Sequence, residues 1–178
     1  MRSNYHDNQG RYVNTPICEI IPRIVVLVGL PACGKSTYVR EQKLPALSSD
    51  HIRHLICDDA AEQGVNARIF HVLRVLLRER LALVRPLTVI DATSLNRTER
   101  LPYIEIALEF GADIEALFFD VPFEVCQARN AARERVVPPD AMLLLAGRLE
   151  PPSISEGFTR VSRLTPETLG PPPEQGGH

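Results

Sequence analysis

Ile24-Val25-Val26-Leu27-Val28-Gly29-Leu30-Pro31-Ala32-Cys33-Gly34-Lys35-Ser36-Thr37 is the stretch on which the fold turns. Five aliphatic residues in a row, without polar alternation, predict a strand buried on both faces. The eight residues from Gly29 to Ser36 match G-x-x-x-x-G-K-[ST]. In such a loop the glycines let backbone N–H groups curl around a phosphate, the lysine reaches the β- and γ-phosphates, and the hydroxyl ligates magnesium. Gly29, Pro31, Ala32, Cys33, Gly34, Lys35, Ser36 and Thr37 are therefore the expected nucleotide-binding residues. Cys33 reads either as an oxidation-sensitive thiol or as an ordinary loop residue. A helix is expected from the end of the motif, over residues 35–42.

Outward from this stretch, apolar runs alternate with helical patterns. Short strands are expected at 45–48, 87–90 and 114–119. Helices are expected from Asp50, as cap, to about Cys57, over 66–84, over 97–110 up to Gly111, and over 123–134 and 139–148. In the long helix Ile69, Val72, Leu73, Leu76 and Leu83 form the expected apolar face, and His71, Arg74, Arg78 and Arg85 the polar one. Strands separated by helices of this length imply βαβ units. The expected fold is α/β, a three-layer sandwich around a mainly parallel sheet. Ligands of such folds bind at the carboxyl ends of the strands, so a crevice lined by Gly34-Lys35-Ser36, Asp50, Asp91 and Asp120 is expected. One domain over 23–165 is expected, with a flexible leader at 1–22 and a disordered tail at 166–178.

Composition excludes several classes. The 178 residues carry 20 basic and 22 acidic side chains, too balanced to coat nucleic acid by bulk attraction. A hydrophobic content of 44% is too high for a disordered chain. The polar N-terminus is no secretory signal, and no apolar run is long enough to span a bilayer. Cys18, Cys33, Cys57 and Cys126 suit neither a zinc knuckle nor a disulfide framework. A soluble, cytoplasmic protein is expected.

Further residues carry chemistry. A kinase needs a carboxylate near its acceptor hydroxyl and gains from an arginine that grips the acceptor or its phosphate. Asp50 and Arg53, three apart on a first helical turn, offer that pair. Asp91 ends an apolar strand, where it can hold magnesium-bound water or orient Arg53. Ser36 and Asp91 are thus the expected metal-side residues. Ser94, Asn96 or Thr98 can cap the next helix. Arg129, Arg133 and Arg135 fall within seven positions. Arg129 and Arg133, four apart, would project together from a lid at about 123–149, whose second helix starts after Pro138.

The ordered set resembles the kinase domain of polynucleotide 5′-hydroxyl kinases. It comprises the phosphate loop, Ser49-Asp50-x-x-Arg53, Asp91-Ala92-Thr93-x-Leu95-Asn96-Arg97-x-x-Arg100, Arg129-Asn130-x-x-Arg133-x-Arg135-x-Val137-Pro138 and Ser155-Glu156-Gly157-Phe158-x-x-Val161. The resemblance implies an ATP- and magnesium-dependent transfer of the γ-phosphate to a 5′-hydroxyl end. Asp50 would be the general base and Arg53 would bind the acceptor-side phosphate. Asp91, Asn96 and Arg97 would flank the acceptor. Lys35, Ser36 and Thr37 would hold the donor, with Arg129 and Arg133 closing on its phosphates. The same fold and a similar Asp-x-x-Arg pair also serve small-molecule kinases and zeta-type toxins. A kinase for a small hydroxyl metabolite, nucleoside or antibiotic therefore stays open, as does a regulatory NTP-binding protein without transfer activity.

Overall fold

The computed structural model describes residues 5–6, 12–13, 20–57, 64–133 and 135–169. Strands β1 (Tyr5–His6) and β2 (Tyr12–Val13) pair antiparallel. The rest of the expected leader up to residue 19, Cys18 included, and residues 170–178 of the expected tail lie outside the described residues. Residues 166–169 of that tail form a helical turn, α7 (Pro166–Leu169).

The main sheet holds β3 (Arg23–Val28), β4 (Ala46–Ser48), β5 (Leu87–Asp91), β6 (Asp113–Phe119) and β7 (Arg160–Leu164), in the order β4-β5-β3-β6-β7. Every pairing is parallel, with Val26 opposite Ile90 on one side and Ala116 on the other. The layers follow from strand alternation. Ile24, Val26, Val28, Ile90, Ile114, Ala116 and Phe118 point to one face, where α2 (Ser49–Cys57), α3 (Asn66–Ala82) and α4 (Arg97–Phe110) cover them. Val25, Leu27, Val89, Leu117 and Phe119 point to the other, under α1 (Lys35–Glu41), α5 (Phe123–Ala131) and α6 (Pro139–Gly147). A strand buried on both faces has no polar alternate residue, which is why β3 reads as an unbroken aliphatic run. The central position of β3 makes its carboxyl end the switch point of the sheet, between β5 and β6.

Three local expectations are corrected. In α3 the buried stripe is Ile69, Leu73, Leu77 and Leu81, at strict four-residue spacing, while Leu76 and Leu83 are exposed. The helix stops at Ala82 because Val84 takes a positive φ of 50°. Asp50 does not cap α2. The helix begins at Ser49, and the Ser48 hydroxyl accepts the His51 N–H at 3.4 Å. Asn96 is the cap of α4: its side chain accepts the Glu99 N–H at 3.0 Å, and Gly111 ends that helix at φ 61° as its position predicts.

Strand β7 has no counterpart among the expected strands. Its sequence, Arg-Val-Ser-Arg-Leu, mixes charged, polar and apolar residues without regular alternation, as an edge strand can. Arg160 pairs with Glu115 of the neighbouring β6, and Arg163 with Asp120 just past its end. The turn that leads into β7 is fixed by a fully buried guanidinium. Arg100 donates from Nε and Nη2 to the two carboxylate oxygens of Glu156, both at 2.8 Å. Its Nη1 donates to the carbonyls of Ser94, Leu95 and Glu150. Glu156 belongs to a 3-10 turn (Ile154–Glu156) and closes it by accepting the Ser153 N–H at 3.0 Å. Removing one partner of such a pair leaves the other charge buried. Arg100→Ala is accordingly expected to lower unfolding free energy by about 3–5 kcal/mol in urea titrations; a midpoint equal to wild type would refute this.

Candidate active site

The phosphate loop forms where β3 ends. Gly29 takes φ +151°, and a Cβ there would stand 2.8 Å from the Cys33 Sγ and 3.0 Å from Phe119. Only glycine lets the chain leave the strand this closely against β6. Gly34, at φ +109°, turns the loop into α1. Lys35 Nζ donates to the carbonyls of Gly29 and Leu30, each at 2.8 Å, so its ammonium is held over the loop by the loop's own backbone. Ser36 Oγ donates to Asp91 Oδ2 at 2.8 Å, which joins the start of α1 to the end of β5. Burial pushes the Asp91 carboxyl above the usual carboxylate range, while the Ser36 hydrogen bond and the Lys35 charge pull against it.

This loop is the floor of a cleft of about 1020 Å³ along the carboxyl edge of the sheet. Pro31, Ala32, Cys33, Gly34, Lys35, Ser36 and Thr37 line it, as do Asp50, Arg53, Asp91, Arg129 and Arg133. Residues from four separate segments of the sequence thus meet in one place. Arg53, on the first turns of α2, is buried at 4% exposure, whereas Asp50 is largely exposed to the cleft. The expected cap role would have occupied the Asp50 carboxylate; with Ser48 in that role, the carboxylate faces Arg135 instead, 3.6 Å from its Nη1.

The lid is ordered by an amide. Buried Asn130 donates to the Val137 carbonyl at 2.8 Å and accepts the Val137 N–H at 3.0 Å. This clamp bends the chain back, so α5 ends at Ala131 rather than 134, and Arg133 lies in the link rather than on the helix. Arg129 and Arg133 converge on the cleft through that bend and not through helical spacing. The same bend brings Arg135 to Asp50.

Several expected site residues fall elsewhere. Asn96 and Arg97 do not line the cleft; Asn96 caps α4 and the Arg97 N–H donates to Glu150. Asp120 is also outside the lining, held by Arg163 of β7, a strand the sequence did not announce. Gly29 contributes its carbonyl to Lys35 rather than a wall. Cys33 is fully buried in the core under α1 and α5, which corrects the oxidation-sensitive reading. Arg135, Glu99, Arg148 and Thr168 line the cleft but were not singled out as site residues from sequence; Phe70, which like Tyr103 and Phe158 reads in the sequence as a candidate base-stacking ring and more readily as core, lines it too. For Arg135 the signal was present, as the third arginine of the lid segment. Among the described residues there is no cluster of three or more His, Cys, Asp or Glu side chains fit to hold a metal. Ser36 and Asp91 supply two adjacent hard oxygen donors, the chemistry of a magnesium site completed by phosphates and water.

Residues 24–152 match the profile of the AAA domain family. The chain belongs to that family. This AAA domain is similar to solved structures of P-loop kinases. A candidate kinase from Chloroflexus aurantiacus j-10-fl superposes with a TM-score of 0.64 at 17% identity, covering 88% of this chain and 90% of that one. A chain of the Pnkp1/Rnl/Hen1 RNA repair complex gives 0.64 at 23% identity, over 75% of this chain and 46% of that one, so the AAA domain spans about half the length of that protein. A gluconokinase from Sinorhizobium meliloti 1021 gives 0.54 at 20% identity, over 86% of each. The fold is thus the P-loop kinase fold, as its residues predict. No helix among the described residues is long and apolar enough to cross a membrane.

The loop geometry sets a test. In Gly29→Ala the added methyl meets Cys33 and Phe119 in a backbone conformation that alanine rarely adopts. ATP is expected to raise the Tm of wild type and not that of the variant; an equal ATP-induced rise in both would show that the loop tolerates the methyl. Burial also pushes the Cys126 thiol up to about 11, so it stays protonated at pH 8. Alkylation of the native protein at that pH is expected to spare Cys126, and labelling at the rate of the denatured chain would contradict its placement.

Proposed function

We propose that this AAA domain transfers the γ-phosphate of ATP, with magnesium, to the 5′-hydroxyl end of a polynucleotide. One observation carries the reading: the exposed Asp50 carboxylate faces the phosphate loop across the cleft, with Arg53 on its own helix and Arg135 of the lid beside it. A carboxylate with one guanidinium 3.6 Å away and a second lining the same cleft suits an acceptor hydroxyl that has a phosphate next to it. Part of one chain of the Pnkp1/Rnl/Hen1 RNA repair complex shares this fold, which agrees with the reading.

The chemistry assigns each group a task. The acceptor hydroxyl attacks the γ-phosphorus, its proton passes to Asp50, and the bond to the bridging oxygen breaks to release ADP. Lys35 exchanges the Gly29 and Leu30 carbonyls for β- and γ-phosphate oxygens. Arg129 and Arg133 close from the lid on the charge that spreads over the transferring group. Ser36 and Asp91 would hold magnesium, which neutralises charge between the β- and γ-phosphates when bound. Arg135 leaves the Asp50 carboxylate as the acceptor hydroxyl arrives and turns to the acceptor's phosphate.

A second reading, a kinase for a small hydroxyl acceptor, is favoured by the state of the basic stripe on α3. Arg78 is paired with Glu109 of α4, and Arg74 lies near the buried Tyr103. These two groups of the stripe thus face α4, while His71 and Arg85 stay exposed, which leaves a short track and concentrates recognition in the cleft.

γ-labelled ATP offered with 5′-hydroxyl DNA, 5′-hydroxyl RNA and a nucleoside and sugar panel separates the two. Label on the oligonucleotides is expected, and label on a small acceptor alone would reject the polynucleotide reading. Asp50→Ala is expected to bind ATP as wild type does and to lose transfer; transfer at the wild-type rate would remove Asp50 as the base. Arg129→Ala and Arg133→Ala are each expected to lower kcat by ~100-fold, and an unchanged kcat would place them outside the reacting charge.

A further inference from the structure

The acceptor half of the cleft has a second wall that the transfer chemistry leaves unused. Asn66 and Phe70 lie four residues apart on α3, and both line the cleft together with Ser49, Asp50 and Arg53. Phe70 is half-buried. Part of it packs on the core cluster beneath α3 and part of it lines the cleft, whereas Ile69 and Leu73 on the core stripe are fully buried. The other aromatic residue in the lining, Tyr38, sits on the helix that follows the phosphate loop, and its ring meets Phe119 edge to face at 5.7 Å. Among the described lining residues Phe70 is thus the one aromatic ring on the side of Asp50. A half-buried ring in the same lining as a carboxylate and arginines supplies a π face where the rest of the acceptor side supplies charge.

We infer that Phe70 is the platform on which the terminal nucleobase of the acceptor stacks, a specificity-determining residue; this rests on the 5′-hydroxyl kinase reading above. A base stacked there fixes the sugar attached to it, so that the 5′-hydroxyl meets Asp50 while the phosphate on the sugar's other side meets Arg53 and Arg135. Stacking accepts any base and is indifferent to the 2′-hydroxyl, so the platform selects a nucleoside end over a polyol acid without selecting sequence.

The test is steady-state kinetics with 5′-hydroxyl oligonucleotides identical except for an abasic 5′-terminal nucleotide, using wild type, Phe70→Leu and Phe70→Trp. Leucine keeps the apolar packing and removes the π face; tryptophan restores it. Phe70→Leu is expected to raise the oligonucleotide KM about tenfold with the ATP KM unchanged. The abasic end is expected to raise the wild-type KM by a similar factor and to add nothing in Phe70→Leu, while Phe70→Trp returns the KM for the intact end. A KM that rises equally for intact and abasic ends in Phe70→Leu would reduce the ring to packing, and an unchanged KM would put the base elsewhere. Either result, with oligonucleotides still labelled by wild type, overturns this inference alone. Failure of wild type to label any oligonucleotide overturns the 5′-hydroxyl reading and the platform together.

Discussion

The far side of the cleft hangs on one guanidinium. Arg100 is wholly buried, and its Nε, Nη1 and Nη2 all donate within the protein, two bonds to the Glu156 carboxylate and three to backbone carbonyls. Those acceptors sit at three points of the chain, two of them about fifty residues beyond Arg100. Ser94 and Leu95 follow β5, Glu150 follows the lid, and Glu156 precedes β7. The loop that carries the chain away from Asp91, the root of the lid and the entry to the edge strand are therefore set by a single planar fork. A lysine would place one charge there but could not make this number of directed bonds. The cost of burying the ion is met by its satisfied donors, and the gain is that three segments share one position.

The nucleotide side is built on a different constraint, close approach of backbones. Gly29 lets β3 turn against β6, and the carbonyls this exposes hold the Lys35 ammonium. Ser36 then reaches Asp91 on the adjacent strand. The phosphate loop and the end of β5 are one hydrogen-bonded unit because β3 and β5 are neighbours in register. Across from it the Asn130 clamp on Val137 folds the lid link back over the cleft. The lid wall meets α2 at Arg135 and Asp50.

Much of this was legible in the chain. Residues 24–37 determine a buried strand, a phosphate-cradling loop and a helix, because each depends on short-range rules: aliphatic run, glycine at positive φ, lysine and hydroxyl at fixed offsets. The βαβ alternation determines a parallel sheet, and a parallel sheet determines that polar residues at strand ends face a common edge. Asp50, Asp91 and Asp120 are expected at that edge on these grounds, and the first two line the cleft; Arg53, Arg129 and Arg133, expected there as groups that grip phosphate, line it as well.

Tertiary structure alone decided the rest. Whether Asp50 capped its helix or faced the cleft turned on the Ser48 hydroxyl, and both residues are suitable caps by type. Asn96 and Asp120 stand at strand and helix ends that read as ligand-facing. They are engaged instead by Glu99 and by Arg163 of a strand whose polar sequence carries no inward alternation. Phe70 differs from the core residue Ile69 only by one position on α3, so no local pattern separates a cleft wall from a core filler. Local sequence fixes backbone conformation, since that depends on neighbours along the chain. Which of several competent side chains meets the cleft depends on which partner is in reach, whether a local one such as Ser48 or Glu99 or a distant one such as Arg163, which becomes a neighbour only when the sheet has closed.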